Sequence, residues 1–359
     1  MIRATTNGVL MGYRNNLMKS FMTLNQARNT VLTQRNFNSF AEDPSAATQA
    51  FQLRRAFMRT SSQYTVSNSV VRKYEVAWSA LDSIEKSVDS QQNNSAFAAI
   101  LAGMNDATGS GRNAVGKELT QLADSIVQTM NNKYGENYTF AGADGLNVPF
   151  EWRENAAGEK ELYYRGIPVD SDGRDPVGNP QGAENLEKLD YLSGETTYVD
   201  IGFGLQEDAD GNLIESSAFN SSLVGINYLG YGVDEDGDPK NIASIISRMG
   251  QILTNCSEDG TWASDAEKEE FARLAGKFED ASAELKKNYT ELDTKATFLK
   301  QNDLQLKTTA STLNEQFLSL EQVDLADAIT SYSWAQYCYN ASLKVGNSIL
   351  SQSLMDYLS

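Results

Sequence analysis

The stretch from Phe271 to Leu320 constrains this chain most. Every seventh residue along it, namely Phe271, Phe278, Leu285, Leu292, Leu299, Leu306, Leu313 and Leu320, is large and apolar. A second set, four positions on, reads Ala275, Ser282, Tyr289, Ala296, Asp303, Ala310 and Phe317. Spacing that alternates four and three is the seam of a coiled coil. Gly276 is the one glycine in the stretch and there is no proline. A helix of about 50 residues, roughly 75 Å at helical rise, is therefore predicted. That exceeds the three or four turns usual in a compact domain. Half of the second set is small or polar, so the seam needs a partner close by. A second chain could supply it, and so could the rest of this one.

Both chain ends offer helices of the same kind. Leu10, Leu17, Leu24 and Val31 are seven apart within 8–35, with Tyr13, Phe21 and Ala27 beside them. Arg14, Lys19, Arg28 and Arg35 decorate that helix. A basic amphipathic helix can lie on a membrane. An acidic helix at the far end of the same chain makes a partner helix the preferred reading. There Leu325, Ile329, Tyr332, Gln336, Tyr339, Leu343, Gly346 and Leu350 form the predicted seam. Residues 1–60 hold 8 basic and 2 acidic side chains, and residues 264–359 hold 9 and 15, so the two ends attract. Each terminal helix alone buries little, and such segments order when a partner arrives.

Between the ends, Asp43-Pro44 reads as a helix start, with an N-cap side chain and then proline at the first helical position. The stripe Ala50, Leu53, Phe57, Thr60, Tyr64, Ser67, Val71, Tyr74, Trp78, Leu81, Glu85 and Val88 predicts a long helix with one buried face. Gly103, Gly109 and Gly111 mark a turn, and Val115, Leu119, Leu122, Ile126 and Met130 a further helix. At Gly135 the composition changes. Four of the six prolines lie between Pro149 and Pro180, and 15 of the 26 glycines between Gly142 and Gly237. Tyr138-Thr139-Phe140, Leu162-Tyr163-Tyr164 and Tyr198-Val199-Asp200-Ile201 read as short strands. Residues 141–240 carry 21 acidic against 6 basic side chains. The helical pattern resumes near Asn241 with Ile242, Ile245, Ile246, Met249 and Leu253. The expected fold is mainly α with a β-rich insert. It has three parts: a terminal coiled coil of 1–44 with 320–359, a rod-like helical bundle of 45–142 with 241–319, and an acidic outer module at 143–240. Leu285, Leu292, Leu299, Leu306 and Leu313 form the bundle seam.

Catalytic chemistry finds little purchase. The chain has no histidine, which removes the commonest general base and metal ligand. Cys256 and Cys338 match no metal or redox spacing. Asp170-Ser171-Asp172-Gly173, Asp208-Ala209-Asp210-Gly211 and Asp234-Glu235-Asp236-Gly237 resemble the start of a calcium loop, but none has the full spacing with a closing Glu. They read as turns. No enzyme, cofactor or metal site is expected. A net charge of −18 argues against nucleic acid, and no run of about 18 apolar residues predicts membrane insertion. The first residues show no apolar core with a cleavage site, so no conventional signal peptide is expected.

Three motifs carry a resemblance. Glu42-Asp43-Pro44-Ser45-Ala46-Ala47 is similar to the acidic-Asp-Pro-x-Ala-Ala run of flagellar hook–filament junction proteins. Tyr138-x-Phe140-x-Gly142 leads to Pro149-Phe150, and Val323-Asp324-Leu325-Ala326-Asp327-Ala328-Ile329-Thr330 leads to Gln336 and Ser353-Leu354-Met355-Asp356-Tyr357-Leu358. The chain thus resembles the bacterial flagellin superfamily, and within it the junction proteins. Arg35-Asn36-Phe37-Asn38-Ser39 departs from the family's Ser-Thr-Gly-Lys-Arg. The resemblance implies a structural subunit, extracellular in the flagellum and exported through its channel without a cleaved signal. It implies a ring of copies as partners, with the first junction protein on the hook side, flagellin on the other, and an export chaperone before secretion. A divergent flagellin that builds the filament itself is the alternative.

Overall fold

The computed structural model describes residues 6–92, 95–105, 109–154, 160–172, 181–257 and 261–358. Helix α1 (Thr6–Thr33) is followed by α2 (Pro44–Val88), α3 (Ala96–Asn105) and α4 (Gly109–Met130). Short strands come next: β1 (Lys133–Tyr134) pairs with β2 (Asn137–Tyr138), and β3 (Phe150–Glu154), β4 (Lys160–Tyr164) and β5 (Ile167–Pro168) make a three-stranded antiparallel sheet. Helix α5 (Gln181–Ser193) precedes the pair β6 (Tyr198–Val199) and β7 (Phe219–Asn220). One short turn of helix, α6 (Ile226–Leu229), leads to α7 (Ile242–Thr254), α8 (Asp265–Glu321) and α9 (Leu325–Leu358).

The long helices start and pack as their sequences dictate. Pro44 is the first residue of α2, and the Ala46 amide donates to Asp43 Oδ1 at 2.9 Å, the N-cap bond. All twelve stripe positions from Ala50 to Val88 are buried or half-buried. Helix α8 is 57 residues long and begins at Asp265, six residues before the apolar repeat. Ser264 sets that start by accepting from the Glu267 amide at 3.1 Å. Phe271, Phe278, Leu285, Leu292 and Leu299 are sealed from solvent, and Leu306 nearly so, whereas Leu313 is half-buried. Helix α2 covers this seam, running antiparallel. Trp78 meets the Tyr289 ring at 6.0 Å, Lys300 pairs with Glu75 at 3.3 Å, and Lys286 pairs with Glu85 at 3.4 Å. The polar seam position Asp303 is met by Asn68 Nδ2 at 3.2 Å. Beside them α4 and α7 cross closely. A Cβ on Gly116 would lie 2.7 Å from the Gly250 carbonyl, and one on Gly250 would lie 2.8 Å from the Gly116 carbonyl.

The segment at 143–240 differs from expectation in two ways. It contains α5, a 13-residue helix. It also has no core of its own. Phe150, Leu162, Tyr164, Leu189 and Leu223 belong to one buried cluster with Leu119 and Ile126 of α4, Ile246 and Met249 of α7, and Leu285 of α8. Two- and five-residue strands present too little apolar surface to stand alone, so they use the helices as their second layer. Of the strand predicted at 138–140 only Tyr138 is extended, and Phe140 is buried in the turn beyond it. The chain divides into two compact units, residues 1–62 with 307–359 and residues 63–306, in place of the expected three parts. Helices α2 and α8 contribute to both.

Candidate functional site: the terminal helix pair and its clasp

In the first unit α1 packs against α9. On α1, Leu10, Tyr13, Leu17, Leu24 and Val31 are half-buried, whereas Phe21 is exposed. On α9 the inward face is rotated by one residue from the predicted seam. Tyr332, Tyr339 and Gly346 are shared, but the other column is Ala328, Ala335 and Ser342, not Ile329, Gln336 and Leu343. Ala328, Ala335 and Gly346 are buried, whereas Leu325, Ile329 and Leu343 are 44%, 47% and 42% exposed. Leu350 lies in α9, but its side chain is outside the described residues. The physical reason is distance of approach. Small side chains let α1 come close enough for Tyr13 to lie over Gly346, where any Cβ would collide with its ring. Phe21 and Tyr339 meet at 5.8 Å. The repeat 328, 332, 335, 339, 342, 346 has the same four-three spacing as the predicted one, so periodicity alone could not choose between them; the small residues were the signal.

A clasp joins the outer ends of the pair. Arg35 and Gln322 form an antiparallel bridge. The Asn36 amide donates to the Glu321 carbonyl at 2.8 Å, and the Val323 amide donates to the Gln34 carbonyl at 3.2 Å. Asn36 Nδ2 reaches the Leu320 and Gln322 carbonyls at 2.9 and 3.1 Å, which satisfies carbonyls that the end of α8 leaves open. Arg35 pairs with Glu321 at 3.3 Å. Gln34 takes a left-handed conformation (φ 56°) to make the turn. Two motif acids are caps: Asp43 starts α2, and Asp324 starts α9 by accepting from the Ala326 amide at 2.8 Å; Glu42 instead closes the turn before α2 by accepting from the Asn38 amide at 2.7 Å.

The pair leaves much apolar surface in water. Met11, Met18 and Met22 of α1 are exposed, as are Trp334, Tyr337, Leu343 and Val345 of α9. Stacked Trp334 and Tyr337, 5.7 Å apart, extend this surface. Arg14, Lys19 and Arg28 of α1 make no ion pair among the described residues. Contiguous apolar exposure is a common feature of interaction sites.

The remaining motif residues belong to the second unit. Tyr138 packs under the Lys133 ammonium, 4.3 Å from its ring centre. The Phe140 carbonyl accepts from Tyr164 Oη at 3.0 Å and from the Gly225 amide at 2.9 Å. Gly142 is left-handed (φ 70°), and a Cβ there would lie 2.6 Å from Glu195, whose carboxylate holds Arg165 at 2.8 Å. The motif is thus a folding device in which each residue seats a neighbour. Among the described residues, Asp234, Asp236 and Asp238 bring three carboxylates together. Lys277 reaches Asp234 and Asp236 at 2.5 and 3.0 Å, and Arg273 holds Asp238 at 2.5 and 2.9 Å, so cations of the chain already face them. Asp208 and Asp234 each accept two amides of their own loops, the geometry of turns.

This architecture can be compared with solved ones. A protein of Vibrio parahaemolyticus described as a flagellar hook-associated protein superimposes with a TM-score of 0.53 at 14% identity, over 78% of this chain and 99% of that one. The two share a fold. FlgL of Bacillus cereus aligns over 76% of this chain and 99% of its own at 14% identity, with a TM-score of 0.38. FlgL of Xanthomonas campestris aligns over 72% and 99% at 16% identity, with a TM-score of 0.39. No protein-family model and no curated protein sequence matches the chain. Among the described residues no helix is long and apolar enough to cross a membrane.

Proposed function

We propose that this chain is a structural subunit of the bacterial flagellum and forms the junction ring between hook and filament. One observation carries the reading. The α1–α9 pair closes on small residues of α9 and keeps its larger apolar side chains, Leu325, Ile329, Leu343 and Trp334, in water. A pair built this way has a second face to offer, and a ring of copies covers it. The cations of α1 that make no ion pair among the described residues, together with the acidic C-terminal third of the chain, favour contacts between copies. The fold shared with a hook-associated protein supports the same reading. On this proposal the hook-side neighbour is the first junction protein, the distal neighbour is flagellin, and an export chaperone holds the terminal helices before secretion through the flagellar channel. The work is done by packing, with no catalytic step.

The test is electron microscopy of the source bacterium after deletion of this chain. Bare hooks with flagellin shed into the medium are expected. Normal filaments on the deletion strain would overturn the proposal. Filaments composed of this chain itself would make it a flagellin instead.

A further inference from the structure

A cleft of about 530 Å³ in the second unit lies between α2, the β1–β2 hairpin and the loop that follows β7. Such a volume is typical of a small-ligand site. Its walls include Tyr134, Tyr138 and Thr139, with Lys73 and Ser221 at one side. Among the described residues, Lys73 is the one charged side chain lining it, and no Asp or Glu does. That is unusual in a chain of net charge −18. The ammonium donates one hydrogen bond, to the Ser221 carbonyl at 3.0 Å. An ammonium has three donors, so two remain for a ligand. Burial pulls the Lys73 pKa below its usual value, with no neighbouring carboxylate to hold it up. The Thr139 hydroxyl is buried without a hydrogen-bond partner. Carboxylates close in sequence to the lining residues are engaged elsewhere: Glu75 pairs with Lys300, Asp144 takes the Leu146 amide and the Asn147 side chain, and Glu195 takes Arg165. Nor is Lys73 needed to anchor the loop after β7, since Tyr74 Oη already donates to the Asn220 carbonyl at 3.2 Å.

We propose that this cleft binds a carboxylate, with the Lys73 ammonium as its counter-ion and the Tyr134 and Tyr138 side chains as its walls. A carboxylate here could arrive as a free small molecule or as an Asp or Glu side chain of another copy. The site is independent of the terminal helices and of the junction role.

Two arms test it on the full chain. In the first, protein labelled with ¹³C at the lysine ε position is titrated with N-acetylglutamate α-methylamide, which keeps only the side-chain carboxylate, and with N-acetylglutamine α-methylamide, which has none, at the same ionic strength. The Lys73 signal is assigned by its loss in Lys73→Met or in Lys73→Arg, so one variant suffices if the other does not fold. A saturable shift with the glutamate compound alone is expected, and Lys73→Met should weaken its binding roughly tenfold or more, the usual scale for a hydrogen-bonded charge. In the second arm, equal parts of ¹⁴N and ¹⁵N protein are joined by a zero-length carbodiimide at high concentration. A mixed-isotope amide between Lys73 and an Asp or Glu identifies another copy as the source. An unmoved Lys73 signal together with no such amide overturns the proposal, as does an equal shift with the glutamine compound.

Discussion

Asp170 shows how a single side chain can make the fold respond to pH. It follows β5, and its Oδ1 is buried without a hydrogen-bond partner. Burial pushes its carboxyl up to about 7 from 3.8; the Ser244 hydroxyl opposes the rise and Glu161 adds to it. The folded chain then keeps a proton that the unfolded chain releases between about pH 4 and pH 7. Stability should fall as pH rises through that window and level off above it, by at most about 4 kcal/mol for this group. Urea unfolding at pH 5 and pH 8 measures the slope, and Asp170→Asn should flatten it and raise stability at pH 8. At Gly346 the issue is space. Gly346→Ala should loosen the α1–α9 pair, although alanine favours helix by up to about 1 kcal/mol, because the new methyl meets the Tyr13 ring. Faster hydrogen exchange across α9, restored by adding Tyr13→Leu, is the expected result. Some residue roles were plain from the chain alone. Asp43 before Pro44 could only be a cap, because proline fixes the first turn and the acid has free amides beside it. Asn36 gave no such sign, since its partners lie 284 and 286 positions away.

Among the elements, α8 was legible because seven-residue repetition over fifty residues has one geometric solution. Helix α5 was not expected, although Leu186, Leu189 and Leu192 recur every third residue, because the glycines and prolines around it suggested only turns. The face of α9 was ambiguous for a different reason. Two columns of residues share the Tyr332, Tyr339 and Gly346 positions, and closeness of approach decided between them. Helices α8 and α9 should therefore respond differently to one substitution. Leu299 is fully buried in the core, so Leu299→Asp places an unpaired carboxylate there and should cost several kcal/mol. Leu343 is 42% exposed, and Leu343→Asp should leave the melting temperature of the purified chain within a few degrees of the parent. In cells the second variant should still lose filaments. Equal losses in melting temperature for both variants would show that Leu343 serves the single chain.

For the whole molecule, the division into units was the least legible property. Composition changes sharply at Gly135 and near Asn241, which suggested a detachable insert. The insert nevertheless packs its apolar side chains onto α4, α7 and α8, because its strands are too short to bury them otherwise. Deleting 150–235 should accordingly expose Leu119, Ile126 and Ile246 and unfold the second unit, seen as loss of its cooperative melt. A melt unchanged by the deletion would restore the independent insert. The clasp between Arg35 and Gln322 has a kinetic consequence. It closes a loop running from residue 35 to residue 322, and α9, the helix that α1 packs on, follows that loop in sequence. Loop closure over such a separation is slow. A nascent chain therefore carries α1 bare until α9 has been made, while 63–306 is complete as soon as α8 has passed Leu306. The two units should fold in separate phases, the middle of the chain first and its two ends together last.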